Sequence, residues 1–374
     1  MELKFTPSAQ TVMEKRYLRK DEQGQVIEQP IDMFRRVADN IASADALFGA
    51  SSEEIKKTAD EFFDMQIKME FLSGMALRNA GRELQQLSAC YVLPIDDSRD
   101  SIYTTLKNAA KLHKTGAGIG YDFSRLRPRG DMVSTTGGKS SGPVSFMKLF
   151  EFSCKTIVNN AATRRAGNMG ILRVDHPDIF EFISAKEDNT QLNNFNISVA
   201  VTDEFMEAVK NDAPFNLVDP HTKQTAKTVP ARELFDLIAN HAWTSAEPGT
   251  IFIDEVNRWN PTPHVGRMES TNQCGEQPLL AYENCNLGSI NLAKVVKGTR
   301  TGSKSIDWDH VRDLTWKSVH FLDNTVEINH YPLPEIEKIV KFGNRKIGLG
   351  VMGFADMLIE LGVPYNSQKA LDVG

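Results

Sequence analysis

Cysteine is scarce in this 374-residue chain: four stand at Cys90, Cys154, Cys274 and Cys285, and no two form a C-x-x-C pair. That excludes a disulfide-stapled secreted scaffold and leaves a structural zinc site without its usual ligands, so no metal site is expected. An excess of basic charge is also missing. The formal net charge is −6, which gives no clustered positive surface for nucleic acid. No apolar run approaches the roughly 20 residues that span a bilayer. The first residues, MELKFTPSAQ, lack the apolar core of a secretory signal, so neither membrane insertion nor export is expected and the cytoplasm is the default compartment. Repeats and low-complexity tracts are absent. What remains is 41% hydrophobic and 25% charged, the composition of an ordinary globular protein long enough for more than one structural unit.

Residues 1 to about 85 read as a helical N-terminal domain. Apolar residues recur at three- and four-residue intervals in IDMFRRVADNIA (Ile31 to Ala42) and SEEIKKTADEFFDMQIKMEFL (Ser52 to Leu72). Ser51 or Ser52, followed by Glu53 and Glu54, marks the start of the second helix. From about Leu87 the pattern changes to short apolar runs, CYVLPI, GAGIGYDF, GILRV, NISVAV, FNLV and GTIFID, alternating with helical stretches such as DSIYTTLKNAAKLH and ARELFDLIANHAWT. Strand and helix in alternation imply parallel β/α units with helices covering the sheet. Roughly five such strands are expected before a long loop, and long loops inside compact domains tend to be functional.

That loop carries Asn272-Gln273-Cys274-Gly275-Glu276, with Cys285 eleven positions after Cys274. An amide, a thiol and a carboxylate at alternate positions share one face if the segment is extended. They then offer a hydrogen-bonding group, a sulfur and a proton acceptor to one small molecule. Cys154 lies in an amphipathic helical stretch and reads as a buried structural thiol. Glycines 116, 118 and 120 have GxGxG spacing rather than the GxGxxG of a dinucleotide fingerprint, and suit close backbone approach to a ligand.

The run TNQCGEQPLLAYENCNLGSINL (Thr271 to Leu292) resembles the active-site segment of adenosylcobalamin-dependent (class II) ribonucleotide reductases. LSACYVLPIDDS, GAGIGYDFSRLRPRG, GGKSSGPVSFM, RRAGNMGILRVDHPDI, NFNISVAV and EPGTIFIDEVNRWNP follow the family's order, so the resemblance runs from about Phe34 to the C-terminus. It implies an α/β fold: the first half of a ten-stranded α/β barrel over residues 86–374, after the helical domain, with a catalytic finger loop at about 268–290. It also implies ribonucleotide reduction, on diphosphates, through a thiyl radical, supplying precursors for DNA synthesis. Cys274 would be the thiyl residue, Glu276 the general base for the 3′-hydroxyl, and Asn272 the residue that fixes the ribose. Cys90 and Cys285 would supply two electrons and become a disulfide, re-reduced by a thioredoxin- or glutaredoxin-like partner. Substrate contacts would come from Gly74, Ala89, Cys90, Gly118 and the run Asn272, Gln273, Cys274, Gly275 and Glu276.

The resemblance further implies adenosylcobalamin as cofactor and a deoxynucleoside triphosphate or ATP as allosteric effector. Specificity loops would lie at Met132 to Val144, Asn159 to Asn168 and Glu187 to Asn194. Asp97 would hold the effector sugar, and Arg127, Lys139, Arg164 and Arg165 its phosphates or base. Two departures stand out. Gly74 occupies a position where the family carries a phosphate-binding hydroxyl, leaving a backbone amide for that contact. The family's second half-barrel, with its phosphate loop and C-terminal redox cysteines, has no counterpart. The expectation is an N-terminal piece of a split or truncated reductase that needs a second chain carrying the rest of the barrel. Two alternative readings are a large subunit served by a separate radical-generating subunit, and a non-catalytic nucleotide-binding module.

Overall fold

A computed structural model of the chain describes residues 5–114, 116–133, 137–158, 165–187, 190–298 and 302–374. It divides into two compact units. The first comprises Met1–Ala89, Cys285–Tyr331 and Val340–Gly374; the second comprises Cys90–Asn284 and Pro332–Ile339.

In the first unit, helix Pro30–Ala42 buries Met33, Phe34, Val37, Ala38 and Ile41, the stripe its periodicity predicts. Helix Ser52–Ile67 starts with a capping box: Ser51 Oγ accepts from Glu54 N at 3.3 Å, and Glu54 Oε2 accepts from Ser51 N at 2.8 Å. The expected helix to Leu72 stops short. Met69 takes a positive φ of 58°, and Phe71–Leu72 becomes a strand antiparallel to Leu287–Asn291. Phe71 is thereby delivered edge-on to Phe321 of helix Trp308–Ile328, with ring centroids 5.2 Å apart. Leu287–Asn291 also pairs in parallel with Gly348–Met352.

The second unit holds the sheet. Its strands are β1 (Cys90–Val92), β2 (Gly118–Asp122), β3 (Asn168–Arg173), β4 (Phe195–Val201) and β5 (Gly249–Phe252). Each pairs in parallel with the next, so spatial order follows chain order with no reversal. Sequential winding is the order of a barrel wall, whereas an open doubly wound sheet reverses at a switch point. Helices α1 (Arg99–His113) and α2 (Pro143–Ser153) belong to the crossovers. Tyr121 and Phe123 from the β2 region pack with Phe150 of α2 and with Phe195 of β4, and the Tyr121 and Phe150 ring centroids lie 4.9 Å apart. FNLV is not part of this sheet. It lies in Pro214–Val218, whose alternating burial suits the antiparallel hairpin it forms with Thr225–Pro230. Among the described residues no helix is long and apolar enough to cross a membrane.

Candidate active site at the strand starts

The thiol-bearing segment is a hairpin. Strands β6 (Ser270–Thr271) and β7 (Pro278–Leu279) pair antiparallel, Thr271 opposite Pro278. Between them the chain closes twice: Asn272 N donates to Gln277 O, and Gly275 N to Asn272 O, each at 3.1 Å. The extended strip expected for 272–276 is therefore a tight turn, made possible by Gly275 at φ 88°. Cys274 sits exposed at its tip, while Asn272 is fully buried at its base.

The turn brings Asn272 and Glu276 together instead of lining them up with Cys274. Asn272 Oδ1 accepts from Gln277 N at 3.1 Å, which fixes the amide so that Nδ2 faces two acceptors. Nδ2 donates to Glu276 Oε1 at 2.6 Å and to Cys90 Sγ at 3.1 Å. The Cys90 thiol reaches the same Glu276 oxygen at 3.9 Å. Cys90 opens β1, opposite Gly118 at the start of β2, so strand register carries it to the turn across 182 residues of sequence. The cluster can orient a carboxylate beside a thiol and hold both against a ligand's hydroxyl groups.

The hairpin lies close on the sheet. A Cβ on Gly120 would collide with the Thr271 carbonyl, and one on Gly118 would overlap the Gln273 side chain. Asn196 of β4 donates to Gln273 O at 2.7 Å, a contact with no sequence signal. The remaining substrate-type positions, Gly74 at the start of helix Gly74–Asn79, buried Ala89 and buried Cys285, belong to the first unit. Cys285 Sγ lies 3.4 Å from Asn286 O. Cys154 is buried 3.8 Å from Ala166 O, and its thiol is pushed up to about 11 by burial, with Glu151 adding to the shift, which keeps it protonated and unreactive.

Two cavities lie at the opposite ends of the strands. One, of about 440 Å³, is lined by Asp97, Arg127 and Lys139 together with Ser98, Arg99 and Ser140. Arg127 Nε donates to Asp97 Oδ2 at 2.7 Å, and Ser98 Oγ caps α1 by accepting from Ser101 N at 3.1 Å. The structure thus collects three of the expected effector residues and adds a helix N-terminus, whose free N–H groups favour anions. Arg165 is exposed three residues before β3 and outside this lining; Arg164 lies outside the described residues. The second cavity, of about 700 Å³, includes Asp122, Arg125, Arg173, His176 and Glu269. Asp122 ends β2 partly buried, and desolvation pushes its carboxyl up to about 6, with Ser124 opposing and Glu269 adding to the rise. Arg125 pairs with Glu269 beside it. No pattern in the sequence singled this cavity out.

A sequentially wound parallel sheet with a thiol on a hairpin seated at its strand starts defines a finger-loop α/β barrel protein. The model for "Ribonucleotide reductase, barrel domain" matches residues 88–374, and that for "Ribonucleotide reductase, all-alpha domain" matches residues 3–85. The chain belongs to the ribonucleotide reductase family. It is 46% identical over 428 aligned residues to the vitamin B12-dependent ribonucleoside-diphosphate reductase of Thermoplasma acidophilum, covering 100% of this chain and 55% of that protein. It is 44% identical to the enzyme of the same name from Mycobacterium tuberculosis H37Rv, covering 99% of this chain and 51% of the relative. The vitamin B12-dependent ribonucleotide reductase of Streptomyces coelicolor is 35% identical over 306 residues, covering 76% of this chain and 31% of that protein. The chain spans about half the length of the first two relatives.

Proposed function

We propose that this chain contributes the thiol-bearing half of an adenosylcobalamin-dependent reductase that converts ribonucleoside diphosphates to 2′-deoxyribonucleotides. The observation that carries the reading is the Asn272–Glu276–Cys90 cluster at the base of the Cys274 turn. Cys274 removes the 3′-hydrogen as a thiyl radical, Glu276 accepts the 3′-hydroxyl proton, and Asn272 holds the sugar hydroxyls. The 2′-hydroxyl leaves as water. Cys90 and Cys285 lose two electrons and two protons to form a disulfide, which a thioredoxin- or glutaredoxin-like protein reduces.

Exposure of Cys274 at the turn tip meets the requirement for a large external radical source, since a buried sulfur offers it no access. Adenosylcobalamin, when bound, supplies the one-electron oxidising equivalent that a thiol alone lacks. Relatives at 44–46% identity named as vitamin B12-dependent favour this source over a separate radical-generating subunit. The cavity at Asp97, Arg127 and Lys139 takes a deoxynucleoside triphosphate or ATP: Arg127 and Lys139 supply charge, and the α1 N-terminus supplies free amides. Gly74 and Ala89 stand as further substrate contacts, and residues 1–85 and 86–374 as the two domains, a division supported by the matched ranges 3–85 and 88–374.

The test is Cys274→Ser, assayed for deoxynucleotide formation with adenosylcobalamin, a dithiol and a polypeptide supplying the second half of the barrel. Wild type turns over and the variant does not, because a hydroxyl cannot replace the thiol in reversible hydrogen transfer. Product formation by Cys274→Ser at a rate near wild type would sink the assignment.

A further inference from the structure

We infer that Gly118 is a notch for the side chain of Gln273, and that Gln273 is a positioning residue setting where the Cys274 turn rests on the sheet. The claim deepens the proposed function and rests on it for the role of the thiol. It assigns Gly118 a different purpose from direct approach to substrate.

Three observations support it. A Cβ at Gly118 would fall inside the Gln273 side chain, overlapping Cγ, Cδ and Oε1, so the space that glycine leaves is already filled from within the chain. Gly167, just before β3, forms a second wall: a Cβ there would lie 3.6 Å from Gln273 Cγ. The Gln273 carbonyl is also tied down, accepting from Asn196 Nδ2 at 2.7 Å. Gln273 is therefore held by backbone and side chain on neighbouring strands, one residue before the exposed sulfur.

The chemistry of the slot indicates packing rather than polar recognition. Gln273 Oε1 is buried without a hydrogen-bond partner, so the amide oxygen gains nothing from its place. What the slot uses is an unbranched chain of that length. Methionine has a similar unbranched shape and no polar atom to satisfy, so it should seat as well. Alanine should leave the notch empty and the turn loose. An alanine at 118 should push Gln273 out and lift the turn, and shortening Gln273 at the same time should relieve the push.

The experiment compares Gly118→Ala, Gln273→Ala, the double variant and Gln273→Met by three readouts. These are the thermal midpoint of this chain, the rate of iodoacetamide labelling at Cys274 by peptide mass, and kcat and KM in the reductase completed with the second half-barrel. Gly118→Ala should lower kcat by roughly 100-fold with KM held, the scale expected when a reacting group is misplaced by about 1 Å. The double variant should recover at least about 10-fold of that loss, and Gln273→Met should keep the wild-type thermal midpoint and Cys274 labelling rate. If the double variant is no better than Gly118→Ala, or if Gly118→Ala raises KM while kcat stands, Gly118 serves the ligand directly and the inference falls. If the wild-type complex makes no product, the proposed function fails instead, and the midpoint and labelling rates of the same proteins still report the coupling. Should Gly118→Ala alone not fold, folding of the double variant is itself the rescue, and its failure to fold overturns the inference.

Discussion

The two ends of one parallel sheet are built on opposite principles. Where β1 and β2 begin and just before β3, Cys90, Gly118 and Gly167 face a hairpin turn fixed by amide hydrogen bonds and close packing. Where β2 and β3 end, Asp122 and Arg173 open into a cavity lined by ion-paired side chains, and the neighbouring cavity joins Asp97 to Arg127. Neutral hydrogen bonds position groups without committing charge, which suits hydrogen abstraction and proton transfer at a sugar. Paired charges with a helix N-terminus suit recognition of a polyanion, because the cationic groups are already gathered and partly desolvated. The length of the strands thus separates the thiol cluster from the charged cavities.

The largest effect expected on this contrast is at the one carboxylate on the neutral side. Glu276→Gln keeps a hydrogen-bonding group of the same size next to Asn272 but removes proton acceptance. We expect kcat to fall by about 10²- to 10⁴-fold. Folding stability should move by less than about 0.5 kcal/mol, since Glu276 is exposed. A variant retaining a tenth or more of wild-type turnover would remove Glu276 from the base role and leave Cys90 and Asn272 as purely structural partners.

A smaller and more diagnostic effect concerns acid. At the charged end, Asp122 has its carboxyl raised by burial from 3.8 to about 6. Its folded form holds a proton that the unfolded form has lost, so this group adds stability as pH falls through 6 toward 3.8. Near the neutral end, His113 closes α1 and is buried; burial lowers its ring from 6.5 to about 4. Its folded form resists protonation, so its contribution is present above 6.5 and lost as pH falls toward 4. At pH 5 each is worth about 1 to 2 kcal/mol, with opposite signs. In the wild type they largely cancel between pH 6.5 and 4. Asp122→Asn should therefore lower the urea midpoint on going from pH 7 to 5, and His113→Gln should raise it, both relative to wild type. Equal pH slopes for all three proteins would refute the opposition.

The same contrast explains what could be read from the sequence. Helix starts were legible because the cap lies within three residues of its partner, as at Ser51 and Glu54. The parallel strands were legible because burial on both faces leaves continuous apolar runs, as in β3. The motif from Thr271 to Glu276 carried the family, but its shape did not follow from alternation of polar residues. Gly275 allows the turn that brings Asn272 to Glu276 and leaves Cys274 at the tip. Contacts such as Gln273 in the Gly118 notch, or Asn196 on the Gln273 carbonyl, join residues far apart in the chain and leave no periodic trace. The FNLV run failed as a sheet strand for a related reason: four apolar or amide residues do not specify whether the partner is a parallel neighbour or the next strand of a hairpin.

The smallest expected effect tests whether recognition at the charged end uses the helix as well as the side chains. Ser98 sits between Asp97, which lines the cavity with Arg127 and Lys139, and Arg99, the first residue of α1. Its hydroxyl holds Ser101 N, one of the amides that a helix start leaves unpaired. Ser98→Ala removes that bond and should cost about 1 kcal/mol in unfolding free energy. If the ordered N-terminus also receives phosphate, equilibrium binding of a deoxynucleoside triphosphate should weaken by roughly twofold to fivefold, the worth of a partly exposed helix terminus toward an anion. Ser98→Thr keeps the cap and should restore both. Lost stability with unchanged nucleotide affinity would confine the cap to folding and leave recognition to Arg127 and Lys139, two cations whose attraction falls with added salt. Titration at low and at physiological ionic strength separates these cases, because amide hydrogen bonds to phosphate persist where exposed charge is screened.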